Sequence, residues 1–329
     1  MERDDLIGAK LVVGFPGLDA TEELVATLRA TRAQSLIVFE RNFTSPAQFT
    51  RLVRGIEDAV GRRLLVMVDH EGGRVARFAS GVTRFADART VGASQDAAAV
   101  ERQGRVEAQE LGRLGVRVNL APCVDVVAAG ADPVIGDRSY GTDPALVAAL
   151  AVARIRGLQS HGVAACAKHF PGLGAVPHDP HRELPTITLD WDAMERVHLP
   201  PFRAAIQAGV AMVMSSHVCY PALGDSPGLP ATFSSGLIRE LLRKRMGFSG
   251  LILTDDLEMG ALGRFGTMGE LAVRATTAGH DLLLICSDLF LAKEAFVSLR
   301  KSYEEKMLDI SELEETTMRF SSLRQKFSL

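Results

Sequence analysis

Eight short apolar runs alternate with longer stretches of helical period along this chain. Most of the runs are continuously apolar, which is typical of parallel strands that are buried on both faces. The predicted strands occupy residues 11–15, 35–39, 64–69, 117–125, 163–169, 210–218, 251–255 and 281–286. The predicted helices include residues 21–32, 46–60, 95–114, 144–161, 190–208, 234–246 and 268–278.

Eight alternations of strand and helix predict an α/β fold, a (β/α)8 barrel of the TIM type. A doubly wound open sheet is the structural alternative. The choice depends on the polar residues at or near strand carboxyl ends, which converge on one mouth in a barrel. These residues are Asp69, Asp125, Lys168 with His169, His217 and Asp255. An open sheet usually carries a glycine-rich phosphate turn, and no GxGxxG follows the first predicted strand.

The composition is that of an ordinary globular enzyme. Of 329 residues, 47% are hydrophobic and 23% are charged, which is enough for a substantial core. The formal charge of −3 disfavours nucleic acid as a partner. The N-terminus has no apolar targeting segment and no apolar run is long enough to span a membrane, so we expect a cytoplasmic protein. The four cysteines have no metal or redox spacing, which indicates buried, reduced thiols.

No linker or change of composition marks a second domain, so we expect residues 1–329 to form a single domain. Residues from about 303 to 329 have a charged, helical pattern. Within this tail, Ser311 and Glu314 have the spacing of a capping box at a helix start. We expect the tail to pack on the outside of the barrel as a closing helix.

The most polar loop follows the fifth predicted strand and reads AKHFPGLGAVPHDPHRELP over residues 167–185. Lys168 and His169 end the strand, and the prolines and glycines after them prevent regular structure. Long loops inside compact domains are usually functional or disordered. Asp179 and His181 are spaced as a dyad, in which a carboxylate orients an imidazole for proton transfer. With His178 they could instead bind a metal, but no HExxH or CxxC motif supplies further ligands, so we expect none.

Four motifs stand in the order of a known family. They are DHEGGRV at 69–75, IGDRSY at 135–140, KHFPG at 168–172 followed by the dyad, and TDDLEM at 254–259. Together they cover most of residues 8–290, and this set resembles the bacterial β-N-acetylhexosaminidases of glycoside hydrolase family 3. The resemblance implies a single-domain, cytoplasmic enzyme of the muropeptide-recycling type.

The resemblance also implies a retaining mechanism with a nucleophile and a proton donor on opposite faces of the sugar. Asp255 matches the nucleophile, His181 matches the acid/base, and Asp179 orients His181. Strand alternation means that Asp255 and Asp256 do not both point into the mouth. Because the flanking residues are apolar on both faces, the period does not choose between them, and the choice of Asp255 follows from the resemblance.

Sugar binding is assigned by resemblance to five side chains: Asp69, Arg77, Arg138, Lys168 and His169. Glu71 is expected to lie behind them as a supporting partner. Simpler interpretations exist for the arginines. Arg74 and Arg77 could be ordinary surface charges, and Arg138 could pair with Asp137 or Asp132. His217 could line the pocket or be structural, and the sequence leaves these alternatives open.

Three positions depart from the family pattern, at Leu173 in place of His, Thr254 in place of Ser and His70 in place of Gln. None removes a catalytic group. The resulting hypothesis is an exo-β-N-acetylglucosaminidase that removes terminal GlcNAc from cell-wall-derived muropeptides. It needs no cofactor, binds a small carbohydrate, and acts as a monomer or weak homodimer. The alternatives are a phosphorylase on the same scaffold and a catalytically silent sugar-binding barrel.

Overall fold

Eight parallel strands close into a barrel in this chain, as the sequence pattern predicts. The structure is a computed structural model, and it describes residues 2–127, 134–176, 184–224 and 226–328. The strands are β1 (Leu11–Val13), β2 (Ser35–Val38), β3 (Leu65–Val68), β4 (Val118–Asn119), β5 (Ala164–Phe170), β6 (Met212–Ser215), β7 (Leu251–Asp256) and β8 (Leu282–Ile285). Each pairs with its neighbours in sequence, and β1 pairs with β8 to close the barrel. The doubly wound alternative is therefore wrong.

The α-helices surround this barrel. They are α1 (Arg3–Ala9), α2 (Glu22–Thr31), α3 (Pro46–Val60), α4 (Ala88–Ser94), α5 (Ala97–Arg113), α6 (Pro144–Gln159), α7 (Trp191–Ala193), α8 (Leu199–Gln207), α9 (Met268–Ala278), α10 (Leu289–Glu304) and α11 (Ile310–Lys326). The bounds of α3 and α9 match the prediction. Helix α3 begins with the side chain of Ser45 accepting from the Gln48 amide and ends at Gly61, whose positive φ of 71° suits a residue without a Cβ.

Two predicted helices have π-helical segments. Between α7 and α8 the chain follows a π-helix over Met194–His198, and the predicted helix at 234–246 is a π-helix over Gly236–Arg245. Pro200 and Pro201 lie at the start of α8 and lack the amide hydrogen that a regular helix needs at those positions. The hydrophobic period does not reveal this change of hydrogen bonding.

Alternate residues of the strands face two separate apolar layers. Leu65 and Met67, like Leu251 and Leu253, belong to the cluster inside the barrel, whereas Val66 packs in the layer beneath the helices. This alternation sets which strand-end residues continue into the mouth. The four cysteines are free and buried, which confirms the prediction made for them.

The C-terminal tail lies across the amino-terminal end of the barrel. Phe320, Leu323 and Phe327 join the cluster of the barrel interior, so α11 covers that opening. The predicted capping box of Ser311 is wrong, because Asp309 is the N-cap and accepts a hydrogen bond from the Ser311 amide at 2.8 Å. An aspartate two residues upstream competes for the same role. Among the described residues, no helix is long and apolar enough to cross a membrane.

Candidate active site

A cavity of about 460 Å³ opens at the carboxyl-terminal mouth of the barrel. In β3, β5 and β7, every second residue faces the barrel interior. Asp69, Lys168 and Asp255 continue these interior-facing rows and line the cavity. All the candidate residues that the structure describes lie on this cavity: Asp69, Arg77, Arg138, Lys168, His169 and Asp255. The structure therefore brings these six side chains to one cavity, and their roles stay a prediction.

Two cations and two carboxylates form a connected group on one wall. The Lys168 Nζ lies 2.6 Å from Asp69 Oδ1 and 2.6 Å from Glu71 Oε1. Arg138 donates two hydrogen bonds to Glu71, from Nε at 2.8 Å and from NH2 at 2.7 Å. Burial alone would raise the pKa of Glu71, but the charges of Arg138 and Lys168 hold it well below its usual range. Burial would likewise lower the pKa of Lys168, yet Asp69 and Glu71 raise it.

The partner of Arg138 differs from the one that sequence proximity suggests. Asp137 pairs instead with Arg74, at 2.7 Å, and both of these side chains are about half exposed. Arg138 is only 14% exposed and pairs with Glu71, 67 residues away in sequence. The Asp137 alternative is wrong, and Asp132 lies outside the described residues. Glu71 is a supporting partner, as expected.

His169 is held by a carboxylate below it. Its Nδ1 lies 2.8 Å from Asp125 Oδ2, and its backbone amide donates to the same oxygen at 3.1 Å. Its Nε2 lies 3.4 Å from the NH2 of Arg138. Asp125 is completely buried. The sequence pattern places Asp125 at a strand end and does not predict this contact with His169.

The two adjacent aspartates at the end of β7 have opposite electrostatic environments. Burial would raise the pKa of Asp255, but the nearby His169 and His217 rings and the Asp256 amide lower it. That amide donates to Asp255 Oδ1 at 2.8 Å. For Asp256, burial dominates and raises the pKa to about 7. Asp255 is therefore the carboxylate of the two that stays ionised at neutral pH. Both side chains line the cavity, so the expectation from strand alternation that they do not both reach the mouth is wrong.

His217 supports the end of β7 from inside the protein. It is 1% exposed, and its Nε2 donates to the Asp256 carbonyl oxygen at 2.8 Å. Its Nδ1 lies 2.5 Å from the hydroxyl of Thr232. Because both ring nitrogens make contacts inside the protein, the structural alternative is the one that the geometry supports.

Arg77 reaches the cavity from the hairpin of His70–Gly72 and Val75–Ala76. Glycines at positive φ, 111° at Gly72 and 54° at Gly73, allow the turn between its two strands. The guanidinium of Arg77 lies 5.7 Å from the Phe39 ring, and its Nε is buried without a hydrogen-bond partner among the described residues. The interpretation of Arg77 as an ordinary surface charge is therefore not supported.

The three departures from the family pattern have distinct surroundings. Burial lowers the pKa of His70 to about 4, so this ring is neutral, and its Nδ1 accepts from the Arg77 amide at 3.1 Å. The Thr254 hydroxyl accepts from the Leu284 amide at 3.0 Å. Leu173 lines the cavity.

The predicted dyad of Asp179 and His181 lies outside the described residues, as does His178. The chain reaches the cavity wall at Leu173 before this segment and resumes at Leu184 after it. The placement of the acid/base therefore stays a prediction.

A polar cavity with an ionised carboxylate, at the carboxyl-terminal mouth of a (β/α)8 barrel, defines the class of barrel enzymes that act on small polar substrates. Residues 7–321 match the glycosyl hydrolase family 3 N terminal domain. A relative named beta-hexosaminidase, from Nitrosomonas eutropha, is 38% identical over 310 residues, which cover 92% of this chain and 87% of the relative. The chain belongs to glycoside hydrolase family 3 and is a glycoside hydrolase.

Solved structures give the same assignment. The family 3 β-N-acetylglucosaminidase from Paenibacillus sp. str. FPU-7 is 36% identical to this chain, with a TM-score of 0.96. The match covers 100% of this chain and 63% of that protein. NagZ from Neisseria gonorrhoeae, in complex with N-trifluoroacetyl-D-glucosamine, is 33% identical with a TM-score of 0.85. That match covers 95% of this chain and 89% of NagZ.

Proposed function

We propose that this protein is a retaining exo-β-N-acetylglucosaminidase that releases terminal GlcNAc from cell-wall-derived muropeptides. The observation that carries the proposal is the ionised Asp255 at the base of a cavity walled by hydrogen-bonding cations and carboxylates. The names of the relatives favour GlcNAc as the sugar. We further propose that residues 1–329 act as one domain, since α11 contributes to the barrel interior.

In this proposal Asp255 attacks the anomeric carbon and forms a covalent glycosyl-enzyme, while the leaving-group oxygen takes a proton from His181. Asp179 orients the imidazole. The sugar hydroxyls bind to the wall formed by Asp69, Arg77, Arg138, Lys168 and His169. The Lys168 and Arg138 donors are fixed by Asp69 and Glu71 before substrate arrives, which reduces the entropy lost on binding.

The nucleophile is tested by trapping. A nitrophenyl β-GlcNAc substrate should be hydrolysed, and a fluorinated slow substrate should leave a covalent label that peptide mass spectrometry locates on Asp255. Asp256 is a neighbouring control, because its raised pKa makes it a poorer nucleophile. A label on Asp256, or turnover without any label, would contradict the assignment.

The acid/base is tested by leaving-group dependence. His181→Ala should slow substrates with poor leaving groups by roughly 10²- to 10⁴-fold, while activated aryl glycosides are affected far less, because only the former need a proton to depart. Asp179→Ala should have a weaker effect of the same kind. Equal losses on both substrates would indicate a structural role for this segment.

Water is proposed as the acceptor. Among the described cations of the cavity, Lys168 and Arg138 are paired with Asp69 and Glu71, and Arg74 is paired with Asp137. Arg77 is then one candidate cation, which falls short of a dedicated phosphate site. The products of turnover, measured with and without millimolar phosphate, decide the matter. Free GlcNAc in both conditions supports hydrolysis. GlcNAc-1-phosphate with a phosphate-dependent rate would instead identify a phosphorylase.

A further inference from the structure

The carboxylate of Asp125 lies beneath the cavity wall and accepts hydrogen bonds on both of its oxygens. Oδ2 receives the His169 backbone amide at 3.1 Å, the His169 ring at 2.8 Å and the Cys123 thiol at 3.3 Å. Oδ1 receives the Leu173 amide at 2.6 Å. A backbone amide, which can only donate, bonds to each oxygen, so this fully buried side chain acts as an acceptor and is held in one orientation.

These contacts determine which nitrogen of His169 carries a proton. Asp125 Oδ2 already accepts from the His169 backbone amide, so it acts as an acceptor toward the ring as well, and the Nδ1 that faces it carries the proton. On the other side of the ring, Nε2 faces the guanidinium of Arg138, which only donates. His169 therefore presents Nε2 as an acceptor on the cavity side, where it is able to receive the hydrogen of a sugar hydroxyl.

The same carboxylate also fixes the chain that follows the strand. Leu173 lies on the cavity wall, and its amide is tied to Asp125 four residues after His169. This is the last part of the described chain before the segment that contains the predicted dyad. One buried group thus sets both the tautomer of a cavity side chain and the exit path of the loop.

A metal ion is the competing explanation for this cluster. Cys123, Asp125 and His169 each place a potential ligand atom within 4.8 Å of the others. A metal bound there would displace the proton on the His169 Nδ1 and compete with two backbone amides for the carboxylate. The hydrogen bonds satisfy all these groups without an ion.

We propose that Asp125 is a positioning residue for sugar binding, which fixes the proton of His169 on Nδ1 and so leaves Nε2 unprotonated, as an acceptor that a substrate hydroxyl can take over from Arg138. This inference rests on the proposed function only in that His169 contacts the sugar. Its effect should fall on KM more than on kcat, because the ring binds the sugar and does not take part in bond cleavage.

Nitrogen-15 NMR of labelled histidine in the whole protein tests the tautomer directly. In the unsubstituted protein, the His169 signal, assigned by its loss in His169→Ala, should report a proton on Nδ1. In Asp125→Asn the oxygen can face the three donors on the Oδ2 side only if the NH2 group faces the Leu173 amide, which also donates, so the Nδ1 proton should be held less strongly and the form with the proton on Nε2 should become detectable. A proton on Nε2 in the unsubstituted protein would overturn the proposal, as would a spectrum that a metal chelator changes. This measurement does not depend on glycosidase activity.

Kinetics supply the second measurement. Asp125→Asn should lower kcat/KM by roughly 10- to 100-fold, mostly through KM, as expected for the loss of one or two charge-assisted hydrogen bonds. In a His169→Ala background the same substitution should cause a clearly smaller loss, because the ring is absent and only the bond to the Leu173 amide is left to be weakened. Asp281→Asn removes a buried carboxylate at the other end of the barrel and should leave KM and the His169 signal unchanged. Additive losses in the double variant would contradict a role through His169.

Discussion

Buried charges gather at both ends of this barrel, and the two groups serve different purposes. At the amino-terminal end, each oxygen of Asp281 accepts two hydrogen bonds. Oδ1 receives Arg319 at 2.8 Å and Thr316 at 2.9 Å, and Oδ2 receives Arg243 at 2.6 Å and the Ile252 amide at 2.8 Å. The Asp281 side chain is 2% exposed. This cluster joins α11 to the barrel.

At the carboxyl-terminal end, the ion pairs of Lys168 and Arg138 border a cavity instead of a helix. Asp69 is 17% exposed and Arg138 is 14% exposed, so both keep surface that a ligand can cover. Both clusters consist of carboxylates paired with cations. They differ in what lies over them, which is α11 at the amino-terminal end and the cavity at the carboxyl-terminal end. A buried ion pair adds little net stability by itself, so its use depends on whether it fixes a helix or presents donors to a substrate.

The largest contrast should come from two matched aspartate-to-asparagine changes. Asp255→Asn should reduce kcat more than about 1,000-fold, because it removes the nucleophile, while folding is retained. Asp281→Asn should leave kcat nearly unchanged but destabilise the protein by roughly 3–5 kcal/mol, since Arg243 and Arg319 lose their charge partner. Kinetics with an aryl glycoside measure kcat, and urea unfolding measures the stability, of both variants. A large loss of kcat in Asp281→Asn would remove the distinction between the two ends.

Sequence pattern predicts the strands and the rim of the site because burial on both faces and strand-end polar residues are local signals. It does not choose between Asp255 and Asp256. In the barrel, Leu251 and Leu253 face the interior and Asp255 continues their row, yet Asp256 also lines the cavity. The two carboxylates differ in the direction of their pKa shifts, which no local pattern encodes. The pairing of Arg138 with Glu71 is likewise hidden, since it joins two loops that only closure of the barrel brings together.

The sequence pattern places Asp125 at a strand end, but the bonds that Asp125 accepts depend on contacts that no spacing encodes. The bond from the Leu173 amide requires a particular path of the backbone after β5. The tail illustrates a similar limit. Its helical pattern is evident, whereas the packing of Phe320 against the barrel interior depends on the whole fold.

Glu71→Gln tests the ion-pair cluster that borders the cavity. The substitution preserves shape but removes the charge between Arg138 and Lys168, so the two cations should repel each other and the wall should lose its order. We expect KM to rise roughly 10- to 100-fold with a smaller change in kcat. Arg74→Gln is the matched control, because its ion pair with Asp137 is half exposed and contributes about 1 kcal/mol or less. An equal KM change in both variants would contradict a special role for Glu71.

Asp256→Asn should have a milder effect on activity than the change at Asp255, about severalfold. Its folded-state pKa of about 7 is above the ordinary value of 3.8, so the folded protein binds this proton more tightly. The contribution to stability is present below about pH 4 and is lost as the pH rises through 7. The asparagine lacks this dependence, so the variant should gain stability relative to the unsubstituted protein between pH 5 and pH 8. Thermal unfolding at both pH values measures it, and a constant difference would contradict the raised pKa.

The smallest expected effect concerns Lys10, a buried cation at the amino-terminal end of the barrel. Its Nζ donates to the His280 carbonyl at 2.8 Å, and burial lowers its pKa from 10.5 to about 8, although the charge of Asp281 opposes the change. Between pH 8 and pH 10.5 the unfolded chain binds this proton and the folded protein does not, so this group makes stability rise with pH across that window.

Lys10→Met should remove the dependence while filling nearly the same volume. At pH 7 the variant should be as stable as the unsubstituted protein or more stable by roughly 1–3 kcal/mol, because a buried charge is replaced by an apolar group. This advantage should shrink as the pH rises from 8 toward 10.5, because the lysine of the folded protein loses its charge over that range. Urea unfolding of the two proteins across this range, compared as a difference, isolates Lys10 from other groups that titrate there. A variant that is less stable by the same amount at every pH would mean that Lys10 acts through its hydrogen bond to His280 and that its charge carries no net cost.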